Sequence, residues 1–444
     1  MNSVYFITLG CSKNDVDTDL MNTILDENRF FATNDIDEAD VVIVNTCGFI
    51  ESAKEESIDM TLEVASYKEN KKLKSLILAG CLAERYHDEL IKEIPEIDGI
   101  IGTGHLNKIN EAIELSLQGK KTVFIGDIDS EYLEGNLKSK EDIKVTEYVK
   151  ISEGCDNFCT YCIIPKLKGK NRSRKIENIV DEVKYLAQHG TREVILIAQN
   201  TTDYGIDLYG EYSLSKLLKE LEKIEDLKWI RIMYLYPDHF TEELIEEFKN
   251  NKKLVKYADI PLQHISDNVL KRMNRRTNKE DIINLIRSLR EEIEGMVIRT
   301  TFIVGFPGET EKDFEELLDF VNFAKLDRVG VFTYSKEEGT PAANLEGQIS
   351  EEVKEERFER IMMEQMDISE ELLNEKVGKV LEILIEEKID NHTYIGRSEY
   401  DAPEIDTEVI ITSDKNLEIG SFVDVYIEDS QEYELLGVYN EHSK

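Results

Sequence analysis

Apolar runs recur along the first hundred residues at VYFITLG (4–10), VVIVNT (41–46), SLILAG (75–80) and GIIGTG (99–104). Helical spacing predicts amphipathic helices between them, over 17–27 and 51–68. Continuous apolar strands alternating with helices predict an α/β unit whose largely parallel sheet is buried on both faces. The polar, charged stretch 127–144 reads as a linker or loop. The alternation then resumes, with strands predicted at 148–152, 194–199, 230–236, 256–261, 297–304 and 329–334. Helical patterns at 175–188, 214–224, 279–293 and 311–324 separate them. Six βα units predict a (β/α) barrel, and six strands where a full barrel has eight predict a partial one. Pro165, Pro237, Pro261, Pro307 and Pro341 fall at or just beyond these strand ends. Proline removes a ladder donor, so these positions read as loops along one rim, the rim that carries the chemistry in such barrels.

A charged helix is predicted over 350–374, with Phe358, Ile361, Met362 and Met366 on one face to pack against the barrel. Short strands with turn signals follow at 379–386, 393–397, 408–412, 422–427 and 435–439. Five short strands in so few residues predict a small β-barrel of the OB kind. The expected organisation is therefore α/β units at 1–135 and 145–373 and a β-barrel at 374–442.

Charge narrows the class of partner. The 444 residues carry a formal charge of −38, which would repel an anionic polymer over much of the surface. From Lys376 onward there are 6 Lys/Arg against 17 Asp/Glu, a net of −11. A nucleic-acid-binding OB barrel wants a basic groove instead, so direct RNA binding is not expected. Residues 2–10 contain no Lys or Arg and do not form a secretory n-region. No apolar stretch approaches the ~20 residues of a membrane helix. A cytoplasmic protein without a membrane partner is expected, and there the 6 Cys read as metal ligands or reactive thiols, not disulfides.

Cys155, Cys159 and Cys162 form C-x3-C-x2-C just after the first barrel strand. Three thiolates in one loop can ligate three irons of a cubane and leave the fourth open. A structural zinc site would want a fourth ligand at short spacing, and the surrounding sequence offers none. Cys11, Cys47 and Cys81 share no short motif, but each closes an apolar strand: FITLGC, VIVNTCG and LILAGC. Equivalent ends of parallel strands share one edge, so these thiols either converge on a second cluster or are scattered core cysteines. Gly10, Gly48 and Gly80 beside them permit close backbone approach. In IVGFPGET (303–310) a strand ends in two glycines around a proline and then a helix opens. Its backbone amides can hold a carboxylate or hydroxyl group, although a plain turn has the same signature. Gln199, Asn200 and Arg299 are candidate polar contacts to cofactor or substrate. His264 reads as a hydrogen-bonded structural residue, and Arg275/Arg276 either as partners of an anion or as solvated surface charge.

LGCSKN, VNTCGFI and LAGCLAERY resemble the N-terminal domain of the methylthiotransferase family of radical S-adenosylmethionine enzymes. GCDNFCTYCIIP, AQNTTDYG, PLQHISDNVLKRMNRR, IRTTFIVGFPGET and FTYSKEEGTPAA resemble its radical domain, and GRSEYDAPEID falls in the position of its C-terminal TRAM domain. The resemblance covers nearly the whole chain. It implies two [4Fe–4S] clusters, one on Cys11, Cys47 and Cys81 and one on Cys155, Cys159 and Cys162, with S-adenosylmethionine chelating the open iron of the second. It puts Tyr161 close to the adenine and Gly305, Pro307, Gly308 and Glu309 against the cofactor. In the implied reaction one S-adenosylmethionine methylates sulfur held at the first cluster. Another is cleaved reductively at the second, and the resulting radical takes hydrogen from the carbon that acquires the methylthio group. A flavodoxin or ferredoxin is the implied electron donor.

Family members act on a modified tRNA adenosine or on an aspartate β-carbon of a small-subunit ribosomal protein. LGCSKN, where the tRNA type tends towards GCQMN, KLKGKNRSR after the second triad and the acidic terminal barrel favour the ribosomal protein. A non-catalytic, metal-bound ribosome adaptor would need no open iron, which the C-x3-C-x2-C loop offers. The acidic loop of Glu399, Asp401, Glu404 and Asp406 is expected to dock the basic substrate protein.

Overall fold

The computed structural model describes residues 1–69, 73–129, 138–431 and 433–440. Every side chain of Val41–Thr46 and Ser75–Gly80 is buried, as central strands covered on both faces require. Numbered in chain order, the first unit has β1 (Asn2–Thr8), β2 (Phe30–Ala32), β3 (Val41–Thr46), β4 (Ser75–Gly80), β5 (Gly99–Ile101) and β6 (Thr122–Phe124). They form one parallel sheet in the order β2-β1-β3-β4-β5-β6. The edge strands β2 and β6 are three residues each, too short to show a period in sequence. The order reverses between β1 and β3, the doubly wound arrangement in which ligands bind at the carboxyl ends of the strands. Helices Ser12–Thr23 and Glu51–Glu69 follow β1 and β3. Of the expected linker, residues 130–137 lie outside the described residues.

The second unit has β7 (Thr146–Lys150), β8 (Ser152–Glu153), β9 (Arg172–Ser173), β10 (Glu193–Ile197), β11 (Trp229–Ile232), β12 (Leu254–Asp259), β13 (Val297–Val304) and β14 (Arg328–Thr333). Its six-stranded parallel sheet runs β14-β13-β12-β11-β10-β7, chain order throughout, and so forms the expected partial barrel. β8 and β9 pair antiparallel and close the base of the cysteine loop between them. Alternate residues divide the faces: Val149, Val194, Leu196, Ile230 and Ile232 face the helical layer. Ile195, Ile197, Trp229, Met233 and Tyr257 face the barrel interior. Helix Glu351–Asn374 buries Ile361 and Ile368 against the helical-layer core, with Phe358 and Met362 alongside.

The third unit is a closed barrel of β15 (Val380–Lys388), β16 (Thr393–Ser398), β17 (Glu408–Thr412), β18 (Phe422–Ser430) and β19 (Glu434–Tyr439), in the order β15-β16-β17-β19-β18. It sits at the amino-terminal ends of the partial barrel's strands, away from the cysteine loop. Trp229 at the start of β11 meets Phe422 edge-on at 4.7 Å, and Arg328 at the start of β14 pairs with Asp401 at 2.6 Å.

This joint corrects the expectation for the acidic loop. Asp401 is buried against Arg328 and Ser398, and Asp406 accepts from Tyr257 Oη at 2.6 Å with Arg299 Nε at 3.6 Å. Glu404 is exposed and Glu399 half-buried. Two of the four carboxylates are therefore spent as internal counter-ions, because their loop is inserted into the joint.

The joint is deepest at Glu193, which has no exposed side-chain surface. Arg231 Nε donates to it at 2.9 Å, and Arg397 of the terminal barrel reaches its other oxygen. Burial pushes the carboxyl up, but the two guanidinium groups, Arg397 first, hold it below its ordinary value. Its contribution to stability is thus present above the ordinary glutamate pKa and lost as pH falls through the lower folded-state value. Glu193→Gln takes the carboxylate from buried Arg231 and leaves Arg397 with Glu386 alone, and is expected to cost about 3–5 kcal/mol, read as a lower urea midpoint at neutral pH. A loss under ~1 kcal/mol would mean that the joint does not rely on this carboxylate.

Candidate active site

Cys11, Cys47 and Cys81 stand at the carboxyl ends of β1, β3 and β4, with Cys11 and Cys47 on either side of the strand-order reversal. Gly10 has φ +100°, and a Cβ there would lie 2.8 Å from Cys47 Cβ and 3.1 Å from Cys47 Sγ. Only glycine allows that approach. Asn14 Nδ2 donates to Leu9 O at 2.6 Å, Asn45 Nδ2 donates to Asn14 O at 2.9 Å, and Thr46 Oγ1 donates to Ala79 O at 2.6 Å. These bonds tie the three cysteine-bearing turns together. Burial pushes the Cys81 thiol up to about 12; Lys168 opposes the rise, and Cys47 and Cys11 add to it. Burial and Cys11 likewise raise Cys47. The three cysteines thus stand together at one sheet edge, on turns tied by these hydrogen bonds. Asn14 and Asn45 were not singled out from the sequence, although both lie inside the quoted motifs.

Cys155, Cys159 and Cys162 occupy the loop between β8 and β9. Burial pushes Cys155 up to about 12 and raises Cys162, and Cys159 adds to both. Tyr161, Tyr236 and Arg275 surround the Cys159 thiol. Arg275 is buried, stacks on Tyr236 with its guanidinium 3.9 Å from the ring centroid, and donates to Pro261 O at 2.7 Å. It is not the solvated charge its pairing with Arg276 allowed; Arg276 is exposed. Gln199 accepts from Gly154 N at 2.9 Å and donates to Glu153 Oε1 at 2.7 Å, so it braces the entry to the cysteine loop. Asn200 accepts from Thr202 and leaves its Nδ2 without a hydrogen-bond partner.

The Gly305–Glu309 turn packs beside the second triad: Phe306 meets Tyr161 at 6.4 Å and Tyr334 at 5.2 Å, both edge-on. Its amides have partners within the protein. Phe306 N donates to Glu309 Oε2 at 3.0 Å, Gly308 N to Gly347 O at 2.8 Å and Glu309 N to Phe306 O at 2.9 Å. Glu309 also accepts from Arg357 Nη1 at 2.9 Å; burial nevertheless raises its pKa to about 7. A Cβ on Gly305 would strike Lys354 at 2.2 Å, and one on Gly308 would strike Arg272 at 2.4 Å. The amides that the sequence offered to a ligand are therefore engaged in holding the turn. Pro307 O accepts from Arg272 Nε at 2.7 Å. His264 is buried, its Nδ1 accepts from Ser266 N at 3.0 Å, and burial lowers its pKa to about 3. It is a neutral structural histidine, as expected. Arg299 is ion-paired with Asp259 at 2.9 Å and reaches Asp406, which commits it to the joint with the terminal barrel.

The unit that carries the first triad packs on the loop that carries the second. Cys81 packs with Ile163 and Leu167, which follow Cys162. Lys13 Nζ, two residues after Cys11, lies 3.2 Å from the ring centroid of Tyr234. Arg85 donates to Gly48 O at 2.9 Å and reaches Glu337 at 3.1 Å, and Lys54 joins the same carboxylate at 3.0 Å. Between the triads Asp17, Lys150, Glu153 and Lys168 form a buried network that sequence reading did not find, because no two of them share a motif. Among the described residues no three His, Cys, Asp or Glu side chains close around a single metal ion. A cubane instead takes each thiolate on a different iron. Three thiols at one sheet edge and three in one loop suit such a ligand set as thiolates, and binding would release their protons.

Residues 149–321 match the radical SAM superfamily, 3–102 an uncharacterised protein family designated UPF0004, and 377–439 the TRAM domain. The chain is 52% identical over 430 residues to the ribosomal protein uS12 methylthiotransferase RimO of Clostridioides difficile, covering 97% of each. It is 51% identical over 440 residues to that of Desulforamulus reducens, covering 98% of this chain and 99% of the relative. Among solved structures, the radical S-adenosylmethionine methyltransferase TsrM of Kitasatospora setae, with cobalamin and a [4Fe–4S] cluster, aligns with TM-score 0.55 at 12% identity, over 86% of this chain and 77% of that one. The cobalamin-dependent radical enzyme OxsB aligns with TM-score 0.53 at 14% identity, over 82% and 56%. These two share the fold. The paired cysteine turns, the partial barrel and the full-length identity together make this chain a member of the RimO family of radical S-adenosylmethionine methylthiotransferases.

Proposed function

We propose that this chain adds a methylthio group to the β-carbon of an aspartate in small-subunit ribosomal protein uS12, with separate [4Fe–4S] clusters on Cys11, Cys47 and Cys81 and on Cys155, Cys159 and Cys162. The carrying observation is the apolar patch that Cys81 shares with Ile163 and Leu167, which brings a member of one triad against the loop of the other. Reactions that pass a sulfur-bearing group to a carbon opened by a radical need this proximity, because a misplacement of ~1 Å can cost ~100-fold in rate. When bound, the clusters and S-adenosylmethionine supply the radical and sulfur-transfer chemistry. The chain's residues hold and seclude them. Tyr161 and Phe306 line the apolar side of the second site, Gln199 fixes the start of its loop, and Arg275 places a cation beside Cys159.

The uS12 assignment is supported by the names of the relatives and by the acidic balance of the chain, which suits a basic protein partner. Reduction by a flavodoxin or ferredoxin in the cytoplasm fits the same reading; no helix among the described residues is long and apolar enough to cross a membrane.

Replacing Cys155, Cys159 and Cys162 by Ala is expected to remove about half of the iron after anaerobic reconstitution and to end S-adenosylmethionine cleavage, since each cubane holds an equal share. Replacing Cys11, Cys47 and Cys81 should remove a similar share and leave some cleavage. A triple variant that kept all its iron would take that triad out of the ligand set.

Mass spectrometry of cells with and without the gene tests the substrate. The gene should add one methylthio group to an aspartate of uS12 and leave bulk tRNA unchanged. A methylthio adenosine in tRNA with unmodified uS12 would reverse the assignment.

A further inference from the structure

Four ionisable side chains are buried where the two cysteine-bearing units meet. Lys150 has no exposed side-chain surface, and Asp17 and Lys168 have 4% each. Lys150 Nζ pairs with Asp17 and lies 2.7 Å from Glu153. Lys168 Nζ lies 2.9 Å from Asp17 and 3.6 Å from Glu153. Two ammonium groups thus alternate with two carboxylates in a neutral ring. Its members come from four places: the helix opened by Cys11, the end of β7, the strand leading into Cys155, and the segment after Cys162.

Stability alone does not account for such a ring. Well-packed apolar side chains in place of a buried ion network are often neutral or stabilising, because desolvation can outweigh the Coulombic gain. The location of one member suggests its use. Lys168 adjoins Leu167, which packs on Cys81, so its ammonium, fixed between Asp17 and Glu153, is held buried beside the turn that carries Cys81. Asp17 stands on the helix that begins just after Cys11 and pairs with Lys168, so a carboxylate is held in the same place. Glu153 carries the ring to the other site, through Gln199 to the Gly154 amide.

We propose that Lys168 is a positioning and redox-tuning residue: its ammonium is the fixed counter-charge of the cluster site on Cys11, Cys47 and Cys81, held by a ring that also sets that site's placement against the second triad. The inference rests on the two-cluster reading above. A cation held beside a cluster favours its reduced, more negative state and raises the midpoint potential; a nearby carboxylate lowers it. Lys168 and Asp17 therefore pull in opposite directions, and the ring leaves them balanced.

The test is a potentiometric titration of the reconstituted full-length holoenzyme, followed by electron paramagnetic resonance. The relevant signal is identified as the one that survives replacement of Cys155, Cys159 and Cys162. Lys168→Met should make that cluster harder to reduce by about tenfold, ~59 mV for one electron. Asp17→Asn should shift it in the opposite direction, and the double variant should return near the parent. Lys168→Arg should keep the parent potential, and it carries the test with Asp17→Asn if Lys168→Met fails to fold. Equal potentials in parent, Lys168→Met and Asp17→Asn at equal iron content would overturn the proposal, as would shifts of the same sign in Lys168→Met and Asp17→Asn. A parent protein with iron for one cluster would instead overturn the two-cluster reading, a failure visible before any potential is measured.

Discussion

The structure depends on the meeting of two parallel sheets at the carboxyl ends of their strands, held by charges withdrawn from water. Parallel strands connected by helices all end at one edge, so residues far apart in sequence arrive together. The first sheet brings Cys11, Cys47 and Cys81 to its edge; the second brings the Cys155–Cys162 loop, Gln199, Tyr236 and the 305–309 turn to its own. Asp17, Lys150, Glu153 and Lys168 clamp these edges together, and the Arg85 and Lys54 pairs with Glu337 clamp them again at the far side. A buried ion pair demands a good geometry if it is not to be destabilising. The network therefore specifies position more tightly than apolar packing alone would.

The opposite mouth of the partial barrel shows the same use of charge. Glu193 sits between Arg231 and Arg397, Asp401 faces Arg328, and Asp406 receives Tyr257 and Arg299. The terminal barrel is thus seated by residues that in sequence look like a surface acidic cluster and scattered arginines. Its seat lies at the strand starts of the partial barrel, at the end away from the cysteine loop. At the other end the 305–309 turn is rigid because its own carboxylate, Glu309, occupies the amides of the turn and is itself held by Arg357.

Much of this was legible in one dimension. The six strands of the radical domain and the five of the terminal barrel follow from hydrophobic runs and turn residues, which are local properties of the chain. The cysteine triad at 155–162 is local too, since its three thiols share one loop. The edge strands Phe30–Ala32 and Thr122–Phe124 escaped because three residues cannot display a period; partners on the sheet define them.

Sequence by itself determined the three units, most of their strands and the chemistry offered by six cysteines. The periodicity of burial and the strand-end placement of the thiols are written residue by residue. Tertiary structure alone decided which charges are free. Asp401 and Asp406 became internal counter-ions, Arg275 became a buried neighbour of Cys159, and Lys168 became a buried partner of Asp17 and Glu153. The physical reason is that a charge's role depends on its local dielectric and on partners such as Glu193 and Arg397, 204 residues apart in the chain. No window of sequence contains both.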